Sequence, residues 1–475
     1  MTYHRIADIR ADLQSGKTTC VELVQGCLSA IKAGSELNAF LEVWESEAIE
    51  RAKEIDAKIA AGTAGKLAGC TIALKDVLAY KGHKVGASSR ILEGFESLYS
   101  ATAVQRLWDE DAIFIGRTNC DEFAMGASNE NSAYGPVLNA ADTSRVPGGS
   151  SGGSAVAVQA GMSHVALGTD TGGSIRQPAA FTGTFGLKPT YGAVSRWGLL
   201  AYASSFDQIG PFTKSVDDMD LVLSIMAGPD DQDATVSVKH SLKEFTPVAD
   251  QKYTFAVIRE VVEHEGLHPE IKQMTEACIR NLEAAGHAIS YISFPLLDYM
   301  VPAYYVLTTA EASSNLSRYS GMLYGNRSSK AHDLESTFTA SRSEGFGPEV
   351  KRRIMLGTFV LSSDYYDAYY RKGQQVRRLI REKTLEVLKN ADAILIPTTS
   401  TPPFKIGEKS KDPIAMYLAD LFTVQANLAG VPAISIPYAT TQDGLPMGMQ
   451  LMGSDFEERK LFALSDILLS NRANS

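Results

Sequence analysis

The segment from Pro147 to Arg176 constrains this chain more than any other, because two glycine turns bracket a run of small residues and a short strand. It reads PGGSSGG, then SAVAVQAG, and a few residues on VALGTD and TGGSIR. A helix of Ser, Ala and Val carries no long side chains to hold a neighbour away, so it is suited to lie close against a sheet. The glycines on either side allow positive φ and close approach of another segment. The pattern predicts a layered α/β arrangement in which Ser150 and Ser174 sit at turns and several backbone N–H groups point at one place.

A serine at a tight glycine turn with amides around it is how a fold presents a nucleophile beside an oxyanion hole. The usual base is missing from this stretch. All eight histidines lie outside the two turns, and the nearest, His164, opens VALGTD, where it is expected to pack or cap. The search for a base therefore turns to lysine, since serine and lysine variants of the triad exist; a histidine delivered from elsewhere in the fold is the alternative. Lys75 ends the strand CTIALK, residues 70 to 75, and open α/β sheets place ligand sites at the carboxyl ends of strands. Asp76 follows directly, but alternation along a strand points it to the opposite face. Asp170 and Arg176 flank Ser174 and read as a structural pair that holds the turn. The glycine turns could instead be plain loops or a phosphate cradle, yet neither G-x-x-x-x-G-K-[ST] nor G-x-G-x-x-G occurs.

Further strands are predicted at 112–116, 253–258, 287–292, 393–397 and 433–437. Between the second and third of these, Ile271, Met274, Cys278 and Leu282 recur at helical spacing up to Gly286. Strand, helix, strand is the unit of an α/β sheet. Residues 1–65 are expected to be an N-terminal helical segment, 66–215 the core with the reactive turns, and 300–390 a helical, tyrosine-rich subregion of one large domain, 1–475. A net charge of -10 argues against this chain carrying most of any nucleic-acid contact. Five cysteines without a C-x-x-C pair suggest neither a disulfide framework nor a zinc site, so no metal is expected. The N-terminus lacks an apolar leader, and no run approaches the roughly 18 apolar residues of a membrane span. A cytoplasmic protein without membrane contact is the expectation.

GRTNCDEFAMG, PGGSSGGS, GTDTGGSIRQPAAFTGTFGLKPTYG and SFDQIGP, with Lys75 75 residues before Ser150, resemble the amidase signature family over residues 65 to 455 or so. The resemblance implies a central mixed β-sheet covered by helices on both faces. It also implies a catalytic triad of Lys75, Ser150 after a cis peptide bond, and Ser174 as nucleophile, with backbone amides of Thr171, Gly172, Gly173 and Ser174 as the oxyanion hole. EFAMGASNENSAYGPVLN, AEASSNLSRY, EVKRRIMLGTFVLSS, YYDAYY and MYLADLFTVQANLAGVPAISIP are similar to one branch of that family, glutaminases that feed ammonia to tRNA-dependent amidotransferases. That likeness implies glutamine as substrate, partner subunits B and C, mischarged tRNA held mainly by the partner, and ATP with magnesium used there and not in this chain. A glutamine pocket needs one arginine and one carboxylate. Motif matching puts these at Arg353 and Asp420, with Tyr305 beside them; Arg352 is the competing register. The remaining tyrosines (Tyr304, Tyr319, Tyr324, Tyr365, Tyr366, Tyr369, Tyr370) are expected to be half-buried packing. Two departures stand out: Arg318-Tyr319-Ser320-Gly321, where RYDG is usual, and Leu74-Lys75-Asp76-Val77, where IKDN is usual. The competing function classes are a stand-alone amidase of the same family acting on another small amide, and a non-catalytic scaffold.

Overall fold

Apolar runs bounded by turn residues form the strands. The computed structural model describes residues 3–248, 250–409, 416 and 419–472. Its strands are β1 (Phe40–Val43), β2 (Thr71–Lys75), β3 (Ile113–Thr118), β4 (Val165–Asp170), β5 (Phe185–Lys188), β6 (Gln208–Thr213), β7 (Thr254–Ile258), β8 (Ala288–Ile292), β9 (Ala393–Pro397), β10 (Ala433–Thr440) and β11 (Pro446–Met452). They make one mixed sheet in the order β1-β3-β2-β4-β6-β5-β10-β11-β9-β7-β8. Two parallel blocks, β3-β2-β4 and β9-β7-β8, are joined by the antiparallel strands β6, β5, β10 and β11. Every residue of β2, β3, β4 and β9 is buried, the mark of strands covered on both faces.

The strands expected at 112–116, 253–258, 287–292, 393–397 and 433–437 are present, the last extended to Thr440. The expectation that residues 1–65 are helical needs correction. Between the helices Cys20–Ala33 and Glu45–Ala60, Phe40–Val43 pairs antiparallel with β3 and closes the edge of the sheet. β5, β6 and β11 have no counterpart among the expected strands either.

The small-residue helix Gly152–Gln159 is buried along its first seven residues and packs across β4, β2 and β6. Gly153 shows why: a Cβ there would stand 2.3 Å from the Asn119 carbonyl oxygen and 2.6 Å from that of Ala39. The helix Leu297–Asn315 packs against Pro348–Val360 and Lys372–Leu388, which together make the tyrosine-rich region. There, Tyr304, Tyr305 and Tyr319 are buried, but Tyr365, Tyr366 and Tyr369 are exposed at the edge of a π-helical turn, not half-buried as expected. All five cysteines are buried and unpaired.

Candidate active site

Lys75 ends β2 with its ammonium group fully buried. Its Nζ lies 2.7 Å from Ser150 Oγ, 2.8 Å from Ser151 Oγ and 2.9 Å from Thr169 Oγ1. Burial pulls its pKa down to about 8, against the pull of nearby acidic groups that include Asp121, Asp170 and Asp207. The hydrogen-bond directions around it are constrained. Ser151 donates its own proton to the Thr169 carbonyl at 3.1 Å, so it accepts from Lys75. A neutral lysine has two N–H groups and one lone pair. With its N–H groups directed at Ser151 and Thr169, the lone pair is left for the Ser150 hydroxyl. The sequence does not single out Ser151 or Thr169, because a hydroxyl in a turn or strand carries no mark of its own.

The Gly149–Ser150 peptide bond is cis. The Ser151 amide donates to the Ser174 carbonyl at 3.2 Å, which joins the two glycine turns directly. Ser174 is 7% exposed, whereas Ser150 and Ser151 are fully buried, so the only one of the three with a route to substrate is Ser174. Its turn is held by Asp170, whose carboxylate accepts from the Gly173 amide at 2.9 Å, from the Ile175 amide at 3.2 Å and from Arg176 Nη2 at 2.9 Å. Burial alone would raise the Asp170 carboxyl, but the Arg176 guanidinium overrides it and holds the pKa at about 2. Arg176 also donates to the Thr423 carbonyl, Gln450 and Asn427. The pair is structural, as its place beside the turn implies.

The four-amide oxyanion hole is corrected by this arrangement. Gly173 sits at φ +135, with its amide already taken by Asp170. The amides of Thr171, Gly172 and Ser174 have no partner among the described residues. Thr423 Oγ1 braces the turn from behind by donating to the Gly172 carbonyl at 2.5 Å.

Tyr305, Arg353 and Asp420 come together. Tyr305 donates to Asp420 Oδ2 at 2.8 Å, and the Arg353 guanidinium carbon lies 5.1 Å from the Tyr305 ring centre and 5.5 Å from that of Tyr202. Arg353 donates to Glu349 and to the Tyr202 hydroxyl, both at 2.8 Å. Arg353 is 3% exposed, while the Arg352 side chain is 48% exposed and pairs with Glu349 from outside; of the two, Arg353 is the one beside Tyr305. Burial pushes the Asp420 carboxyl up to about 7, with Tyr305 and Arg353 opposing. Tyr417 and Leu418 of the same motif lie outside the described residues.

Glu122 links these two halves. The amide of its neighbour Asp121 donates to the Ser150 carbonyl at 3.1 Å. The Glu122 carboxylate accepts from Ser89 and, at 2.9 Å, from the Gly347 amide just before the helix that carries Arg353. Burial raises its pKa to about 7.

The Amidase family model matches residues 22–462. The A subunit of the glutamyl-tRNA(Gln) amidotransferase from Chlorobium phaeobacteroides is 49% identical over 472 residues, covering 98% of this chain and 99% of that one. The protein of the same description from Koribacter versatilis is 50% identical over 462 residues, 96% of each chain. Among solved structures, the A subunit of the Thermotoga maritima glutamyl-tRNA(Gln) amidotransferase superposes with a TM-score of 0.75 at 40% identity, over 93% of this chain and 90% of that one. A peptide amidase from Stenotrophomonas maltophilia superposes at 0.78 with 27% identity, over 98% and 96%.

Proposed function

The chain belongs to the Amidase family, and from that membership we propose that it is the glutaminase subunit of a tRNA-dependent amidotransferase, hydrolysing glutamine and passing ammonia to a partner. The observation that carries the reading is the conjunction of a buried lysine hydrogen-bonded to Ser150 with the Tyr305, Arg353 and Asp420 cluster.

In this mechanism Ser174 Oγ attacks the glutamine carboxamide carbon, its proton passes to Ser150 Oγ, and the Ser150 proton passes to neutral Lys75. The amides of Thr171, Gly172 and Ser174 receive the oxyanion. As the tetrahedral intermediate collapses, the proton returns through Ser150 to the departing nitrogen, which leaves as ammonia. Water then hydrolyses the γ-glutamyl ester by the same relay in reverse. Arg353 receives the substrate α-carboxylate and Asp420 the α-ammonium. A pKa of about 7 for empty Asp420 suits this role, since an arriving cation favours its charged form.

Subunits B and C complete the assembly, with ATP, magnesium and the mischarged tRNA acting on the partner side. Support for a docking partner comes from exposed apolar side chains that lie together: Met355, Leu356 and Phe359 on one helix, with the Tyr365 and Tyr369 rings 4.2 and 5.8 Å from that of Phe359; Met355 is 66% exposed. Isolated surface apolar residues are ordinary, but a contiguous patch marks an interaction site. The deciding experiment is Ser174→Ala in the assembled complex: glutamine-dependent amidation is lost and ammonia-dependent amidation persists. Persistence of the glutamine reaction refutes the mechanism. Loss of both reactions would instead point to an assembly defect and against the separable roles assigned here.

A further inference from the structure

A second polar cavity, of about 610 Å³, opens at the other end of the strands that carry the triad. Lys75 stands at the carboxyl end of β2 and Thr71 at its start. Four steps at about 3.3 Å put roughly 13 Å between them. The cavity lies between the helix Cys20–Ala33 and the end of the helix Gly152–Gln159, with His164 and Ser163 in its wall just before β4.

Its lining is rich in donors. The Thr71 amide donates to His164 Nδ1 at 3.1 Å, and burial lowers the ring pKa to about 4, so the imidazole is neutral with its proton on Nε2. The Ser163 hydroxyl is buried, lines the cavity, and has no hydrogen-bond partner among the described residues. Lys214 is half-buried in the wall and has no ion-pair or hydrogen-bond partner among the described residues. Lys17 stands at the rim, paired with Asp12 at 2.8 Å.

Two features oppose an anion here. Glu22 lines the cavity, but it is solvent-exposed and already holds the Thr18 hydroxyl and the Thr19 amide. The end of Gly152–Gln159 contributes at most about half a negative charge. Burial also lowers the Lys214 pKa, but an arriving anion favours its charged form against both, and a buried hydroxyl without a partner is costly until something accepts from it.

We propose that this cavity is a binding site for a small oxyanion, a phosphate or carboxylate group, held by Lys214, Ser163 and His164. Nothing in the glutaminase chemistry uses these residues, so the site stands or falls independently of that reading. The test is isothermal titration of the full chain with inorganic phosphate and, separately, with glutarate, at constant ionic strength set by sodium chloride. Saturable binding of one or both is expected, weakened about tenfold in Lys214→Met and also weakened in Ser163→Ala, each having lost one contact to the anion. The preferred probe identifies phosphate or carboxylate as the natural group. Arg353 is unchanged in parent and variants, so the difference between them isolates this cavity. Thermal denaturation of each variant checks the fold, and the single-atom change Ser163→Ala remains informative should Lys214→Met be unstable. Absence of saturable binding by either probe, or equal affinity in parent and variants, overturns the proposal.

Discussion

Thr169→Val is the sharpest probe of the proposed base. Thr169 Oγ1 accepts one of the Lys75 N–H groups at 2.9 Å, and valine keeps the shape while removing the acceptor. A hydrogen bond from a charged donor contributes about 1.5–3 kcal/mol and one from a neutral donor about 0.5–1.5 kcal/mol, so the ammonium form loses more than the amine. The difference, ~1.4 kcal/mol, is about one pKa unit. The midpoint for Lys75 should fall from about 8 toward ~7. At pH 7 the neutral fraction then rises from about one tenth to about one half, roughly fivefold. The assay is the rate of Ser174 modification by a small fluorophosphonate between pH 6 and 9, followed by mass spectrometry. This reagent bypasses Asp420, whose carboxyl at about 7 would titrate in the same window during glutamine hydrolysis. Wild-type labelling should rise about tenfold per unit below the midpoint and flatten above it. A midpoint that stays put or moves up in the variant refutes the assignment, as does flat wild-type labelling across this range.

Glu122→Gln replaces an acceptor of the Gly347 amide with a group that is half donor, so the helix bearing Arg353 should shift; we expect a higher KM for glutamine by a few-fold up to about tenfold, with kcat nearly kept, and steady-state kinetics showing the reverse split would exclude a positioning role. Asp170→Asn strands the Arg176 charge in the interior and should destabilise the chain by about 3–5 kcal/mol in denaturant titration; a loss below ~1 kcal/mol contradicts the account. The same carboxylate has its folded pKa depressed from 3.8 to about 2, so its stabilisation is complete above the unfolded value and is lost as pH falls through about 2. Gly357→Ala places a Cβ 1.9 Å from the Thr309 carbonyl oxygen, between the helix that carries Tyr305 and the one that carries Arg353; a stability loss of about 1–3 kcal/mol with a raised KM is expected, and wild-type values for both would show that the two helices can part freely.

What can be read in advance depends on how strongly each segment declares itself. β2, β4 and β9 each contain a short apolar run, IAL, VAL and AILIP, and can be placed within a residue or two. β6 reads QIGPFT, with Gly210 and Pro211 inside it, and proline normally argues against a central strand. Here Pro211 stands opposite Leu167 within the sheet, a tertiary outcome that no local rule anticipates. β1 is four residues long and only partly covered, so its pattern is too short to separate from the helices around it. In the site, glycine turns and a strand end draw attention to Ser150, Ser174 and Lys75, and the family resemblance is what joins them as a triad. Motif matching names Arg353 without separating it from Arg352, although the buried phase Val350, Arg353, Gly357 and Val360 chooses it. Ser151, Thr169 and Glu122 emerge only when the turns, β4 and the distant helix are brought together.

The reach of Arg176 bears on when activity can begin in the life of the molecule. Its guanidinium is shared among Asp170, six residues away, and acceptors on Thr423, Asn427 and Gln450 that the ribosome adds far later. The turn that presents Ser174 is therefore unfinished while the chain is being made, even after Lys75, Ser150 and Ser174 have all emerged. Residue 450 must leave the exit tunnel and its strand join the sheet before the nucleophile is locked in place. The early-made nucleophile thus depends for its final geometry on the last strands of the sheet.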